Sequence, residues 1–133
     1  KNPTAESTHS RDLATLLLRG GDLEAARGWF ERALAAGRAA GTPLNEGMAL
    51  SGLGLLCAHE GRYSESATAL AAAESVLRKT ASDGWVAAHL LQRAEAEWLA
   101  GFRDAARLTF GESIGLCPPP VEERQRLEAL MGG

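Results

Sequence analysis

Apolar side chains along this chain recur three and four positions apart, and the runs are cut at regular places. Leu13, Leu16 and Leu17 form one such set, and Ala67, Leu70 and Ala71 repeat it, with Leu50 and Leu53 between them. That spacing puts side chains on one face of a 3.6-residue turn and predicts amphipathic helices. The cuts fall at Gly21, Gly61 and Gly101, at intervals of 40 residues. Aligned on these glycines, other positions coincide: Ala14, Gly54 and Ala94; Ala26, Ser66 and Ala106; Phe30, Leu70 and Phe110; Ala33, Ala73 and Ser113. A period of this length marks stacked repeats, each too small to bury its apolar face alone. Glycine ends one helix in a left-handed turn, a small residue lets the next helix approach, and a large apolar one fills the gap between hairpins.

The predicted helices cover about 6–19, 22–39, 43–60, 62–79, 83–100, 102–116 and 119–131. Thr42 before Pro43, and Ser82 or Asp83, read as N-terminal caps. Pro118-Pro119-Pro120 and then Glu122-Glu123 open the last helix, whose mixed charges suit an outer capping element. The expected architecture is a single all-α domain over 1–133, an α-α superhelix. It has three helical hairpins (about 6–40, 43–80 and 83–117) and a C-terminal capping helix.

Composition narrows this further. Valine occurs only at 76, 86 and 121 and isoleucine only at 114, too few β-branched residues for a sheet. A net charge of −3 gives no basic surface for nucleic acid. No long uncharged apolar run predicts a membrane span. The Lys-Asn-Pro-Thr opening is unlike a signal peptide and reads as a cut from a longer protein, so a cytoplasmic location is the default expectation. Cys57 and Cys117 lack metal-ligand spacing and are expected to be small buried side chains.

Catalytic and metal chemistry find little support. His9, His59 and His89 are far apart and have no ligand four residues on. Ser10, Ser51 and Ser64 have neither a glycine elbow nor a base beside them in sequence. No strand precedes a phosphate-binding loop. No enzyme activity, cofactor or metal is expected.

The stretch Gly21-Asp22-Leu23-Glu24-Ala25-Ala26 with Phe30, Ala33 and Leu34 resembles the second half of the tetratricopeptide repeat motif. Gly61-Arg62-Tyr63-Ser64-Glu65-Ser66 with Leu70 and Ala73 is a second copy, and Gly101-Phe102-Arg103-Asp104-Ala105-Ala106 with Phe110 a third. Leu53-Gly54 is similar to the family's Leu-Gly pair. The family's period is about 34, so this chain looks like a long-helix variant of it. It resembles the repeat arrays of large bacterial signal-transduction ATPases and their attached transcription regulators, also through Ala33-Leu34-Ala35-Ala36-Gly37-Arg38 followed by Gly41. Arg93 and Glu97 depart from the pattern, standing where the family prefers apolar side chains.

The resemblance implies a non-catalytic module that binds a protein or peptide on the concave face formed by the first helix of each hairpin. Carried onto this chain, that groove takes Thr8, Arg11, Thr15 and Arg19, then Met48, Ser51, Leu55 and His59, then Leu91, Glu95 and Trp98. Of the positions where some relatives grip a terminal carboxylate, only Arg11 carries a suitable cation. An extended or helical peptide with apolar anchors fits Met48, Leu55, Leu91 and Trp98 better. Trp98 is the chosen hot spot, while Trp29 and Trp85 are expected to pack between helices. Two alternatives stand beside this reading: an effector-sensing module of a bacterial transcription regulator, and self-association by stacking of hairpin ends through Phe102 and the last helix.

Overall fold

The computed structural model describes residues 2–132, and among them it is helical throughout with no strand. The helices are α1 (Pro3–Arg19), α2 (Leu23–Ala40), α3 (Pro43–His59), α4 (Tyr63–Thr80), α5 (Asp83–Leu99), α6 (Arg103–Leu116) and α7 (Val121–Leu130). None is long and apolar enough to cross a membrane.

The glycine period becomes three matching turns. Gly21, Gly61 and Gly101 have φ of 89°, 80° and 93°, a region that side chains with a Cβ rarely adopt. At each, the glycine N–H and the next N–H fold back onto the preceding helix: Asp22 N to the Leu17 carbonyl (2.9 Å), Arg62 N to Cys57 (2.8 Å) and Phe102 N to Glu97 (2.9 Å). These six-residue loops satisfy carbonyls that a helix end leaves open. They reverse the chain three times at the same place in the repeat, making the hairpins α1/α2, α3/α4 and α5/α6.

The small aligned residues sit where these helices meet. Ala14, Ala94, Ala26, Ala106, Ala33, Ala73 and Ser113 are all fully buried. The middle helix α3 lies against α1, α2, α4 and α5. It is apolar on nearly every side, as a helix enclosed by neighbours must be. Phe30, Leu55, Leu56 and Leu70 fill the space between the first two hairpins, and Leu77, Val86 and Leu90 that between α4 and α5. Leu127 of α7 and Met131 just after it are buried, Met131 beside Ala94 and Ala106 at the far end.

Several boundaries differ from expectation. Helix α1 starts at Pro3, because Asn2 caps it by accepting from Ala5 N at 3.2 Å and Pro3 takes the first turn. Helix α7 starts at Val121, after Pro119 and Pro120, with Pro120 as its flanking residue. Thr42 and Ser82 hold the cap positions of α3 and α5 without a side-chain bond to the backbone. The Thr42 hydroxyl accepts from Asn45 Nδ2 instead, at 3.1 Å. Cys57 is buried as expected, but Cys117, which ends α6 in extended backbone, is half-exposed. Trp85 is 38% exposed rather than packed between helices. It lies beneath the Arg11 guanidinium at 5.4 Å.

Candidate functional site

The nine residues Arg11, Thr15, Arg19, Met48, Leu55, His59, Leu91, Glu95 and Trp98 do not form the open groove drawn from the sequence. Met48, Leu55, Leu91 and Glu95 are buried within the chain. Met48 and Leu55 belong to the core because α3 is enclosed by four helices. Leu91 lies beside Cys117 and the proline strap 118–120. Thr15 turns its hydroxyl back to the Arg11 carbonyl at 2.9 Å. Trp98 is half-buried, with the Arg103 and Arg107 guanidinium groups 4.5 and 5.0 Å from its ring, and it packs near Met131. Arg11 keeps one buried guanidinium nitrogen without a hydrogen-bond partner, and burial pulls its pKa down.

Three of those residues meet each other. The Glu95 carboxylate, 2% exposed, accepts two bonds from Arg19 (2.9 and 3.0 Å), one from His59 Nε2 (2.8 Å) and one from Arg126 of α7 (2.8 Å). Burial pushes its pKa up, but the bonds from His59, Arg19 and Arg126 outweigh that and hold it down to about 2. One carboxylate thus ties α1, α3, α5 and α7 together, and its polar capacity is used up inside the fold.

A second polar line crosses the core. Ser51 Oγ lies 2.8 Å from His89 Nδ1, and His89 Nε2 lies 3.1 Å from Glu74 Oε1. So Ser51, read from sequence as having no base beside it, has an imidazole brought near it from α5. A carboxylate only accepts, so Nε2 carries the proton toward Glu74, while the Ser51 hydroxyl, with one proton to give, donates to Gln92 Oε1 at 2.5 Å and lies beside Nδ1. Serine, histidine and carboxylate in a row are the parts of a nucleophilic site. Here both Ser51 and His89 are 0% exposed, so no substrate carbonyl reaches the hydroxyl. Among the described residues no cluster could hold a metal ion.

The line makes the fold sensitive to acid. Burial lowers the His89 pKa below 6.5, with Arg93 and Arg78 adding to the effect and Glu74 opposing it. The unfolded chain therefore takes up a proton that the folded chain refuses, and stability falls as pH drops below about 6.5. Glu74, like Glu95, is held down to about 2 against its own burial, by Arg78, His89 and Arg93. Carboxylates with lowered pKa stabilise the fold above their unfolded value and lose that contribution as pH falls toward about 2. Urea titrations across pH are expected to show a first decline near pH 6.5 and a steeper one below about 4.5. His89→Gln is expected to flatten only the first; an unchanged profile contradicts the neutral assignment.

The open site lies elsewhere. A groove of about 790 Å³ runs along α4, with Arg93 and Glu97 of α5 beneath it and Phe102 at one end. The repeat register explains why it is open. At the junction between the first two hairpins, Arg27 reaches Cys57 Sγ and Glu60, and the Phe30 ring fills the gap. Forty positions on stand Ala67 and Leu70, and Ala71 replaces Glu31. Shorter side chains leave the second junction unfilled. The floor also changes, from Leu53 and Cys57 to Arg93 and Glu97. These two charges bond each other at 3.0 Å; Arg93 also bonds Glu74 (2.9 Å) and Glu97 also accepts from Thr109 (2.6 Å). At the far end Arg78 bridges Glu74 (2.9 Å) to Glu112 of α6 (2.8 Å).

The result is a concave site with apolar walls and a few converging charged groups, the usual form of a binding cavity. Comparison of the chain with family models, with curated proteins and with solved structures gives no match. Sequence reasoning missed this site, although two of its residues carried a signal. Arg93 and Glu97 broke the apolar register, and such breaks gather where function or strain resides.

Proposed function

We propose that the chain is a non-catalytic interaction module of the tetratricopeptide-like kind, which binds a protein or peptide segment in the groove along α4. The hairpins recurring every 40 positions support the family-like reading. The observation that carries the binding reading is the groove itself. Its volume is of the size that takes a ligand or a few anchoring side chains. Its Phe102 is 65% exposed, an aromatic available to a partner. A second reading, an effector-sensing segment of a regulator, is favoured by the same volume, which also suits a small molecule.

The test is a selection of displayed peptides on the wild-type chain, followed by titration against Ala67→Trp. Ala67 is exposed, so the indole fills the groove without entering the core. Selected peptides are expected to lose about tenfold or more in affinity, with the melting temperature unchanged. Peptides that bind both forms equally well place recognition elsewhere and overturn the proposal.

A further inference from the structure

The groove is not uniform along its length. Its walls are apolar toward the start of α4, where Ala67, Leu70 and Ala71 face Phe102. Toward the end of α4 stand Arg78 and Lys79, roughly 18 Å from Ala67 at the rise of a helix. The charges that line it are Glu74 and Glu97 against Arg78, Arg93 and Lys79; Glu112 of α6 also pairs with Arg78, which leaves Lys79 as the lining cation that no carboxylate meets among the described residues. Both carboxylates are engaged by internal partners: Glu74 by Arg78, His89 and Arg93, and Glu97 by Arg93 and Thr109. The cations are less engaged. Among the described residues Lys79 has no carboxylate partner, and Arg93 Nη2 and Arg78 Nη1 make no hydrogen bond to the protein. The groove therefore has cationic donors to spare, Arg93 midway along it and Arg78 and Lys79 toward the end away from Phe102, while its two carboxylates are already engaged.

We infer that the groove takes an amphipathic peptide helix, its apolar side chains toward Phe102 and its acidic end against Arg78 and Lys79. This rests on the groove being the binding site and adds the charge and direction of its occupant. A helix laid in a groove reads its partner through side chains one turn apart, and the length along α4 accommodates about three turns. Complementary charge at one end fixes direction and discriminates between partners more than it adds affinity. The open, elongated shape favours a peptide over a compact small molecule.

The test uses two helical peptides of about 14 residues. One carries glutamates in its first turn, where they also suit the helix dipole, and leucines along the following turns. The other has lysines in place of the glutamates. Titrated on the whole chain at low salt, the acidic peptide is expected to bind about fivefold more tightly or better, as a few exposed charge pairs provide. Added salt narrows the difference. Lys79→Glu is expected to reverse the preference, and Phe102→Ala to weaken both peptides. Lys79 is exposed and Phe102 caps no core, so neither change threatens folding. Equal binding of the two peptides, abolished by Ala67→Trp, overturns the inference and leaves the groove reading intact. Binding that survives Ala67→Trp overturns both. Decanoate binding without acidic-peptide binding overturns the inference in favour of a small amphipathic acid, and binding of neither peptide overturns it outright.

Discussion

Gly52→Ala is expected to lower the melting temperature by about 10 °C. In an ordinary helix the same change is stabilising, by about 1 kcal/mol. Here a Cβ at 52 meets the Phe30 ring, coming within 2.7 Å of Cδ1 and 2.8 Å of Cζ and closer still to Cε1. Phe30 is fully buried between the first two hairpins, so the ring has nowhere to turn. Forcing extra volume into a filled core costs roughly 3 kcal/mol. Two companions separate this cause from others. Gly28→Ala, in α2 with nothing within 4 Å of the added carbon, is expected to raise stability by about 0.5–1 kcal/mol. Phe30→Leu combined with Gly52→Ala should recover part of the loss, since the smaller side chain removes the ring atoms that the added carbon meets. Calorimetry checks all three, and a neutral Gly52→Ala contradicts the packing described here.

The second large effect is expected at Glu95→Gln, a loss of about 3 kcal/mol. The amide keeps the shape of the side chain but not the charge that balances Arg19 and Arg126. Removing one partner of a buried ion pair leaves the others desolvated without compensation. Arg126→Ala should cost only about 1 kcal/mol, because Glu95 keeps Arg19 and His59. It should also raise amide exchange in α7 while α1 and α3 stay protected, since Arg126 is the one side chain that ties α7 to the carboxylate. Urea melts and hydrogen exchange decide both points. Equal losses for the two variants contradict a shared hub.

The all-helical class was legible because it rests on local rules: helical spacing, few β-branched residues and glycines at a fixed interval. The glycines at 21, 61 and 101 all take positive φ, which their lack of a Cβ permits, and their equal spacing marks the turns in the sequence. The binding face was not legible, because it depends on which side chains find partners across the fold. Arg19, His59 and Glu95 look like an exposed mixed groove in sequence, and instead Arg19 and His59 bond to the one carboxylate, Glu95, across 76 and 36 positions. Leu55 and Met48 look like anchors, yet α3 lies between four neighbours and turns no open face outward. The groove along α4 arises from what is missing at Ala67 and Ala71, and absent bulk shows only when one repeat is laid on the next.

The account stands most directly on where a bound peptide lies. Amide spectra of the isotope-labelled chain, titrated with the acidic helical peptide, provide that map. Shifts are predicted to cluster at Ala67, Ala71, Ser75, Arg93 and Phe102, with α1 nearly silent. Shifts concentrated instead at Thr15, Arg19 and His59 would mean that the partner docks across the first helices of the hairpins, and that the groove along α4 is not its seat.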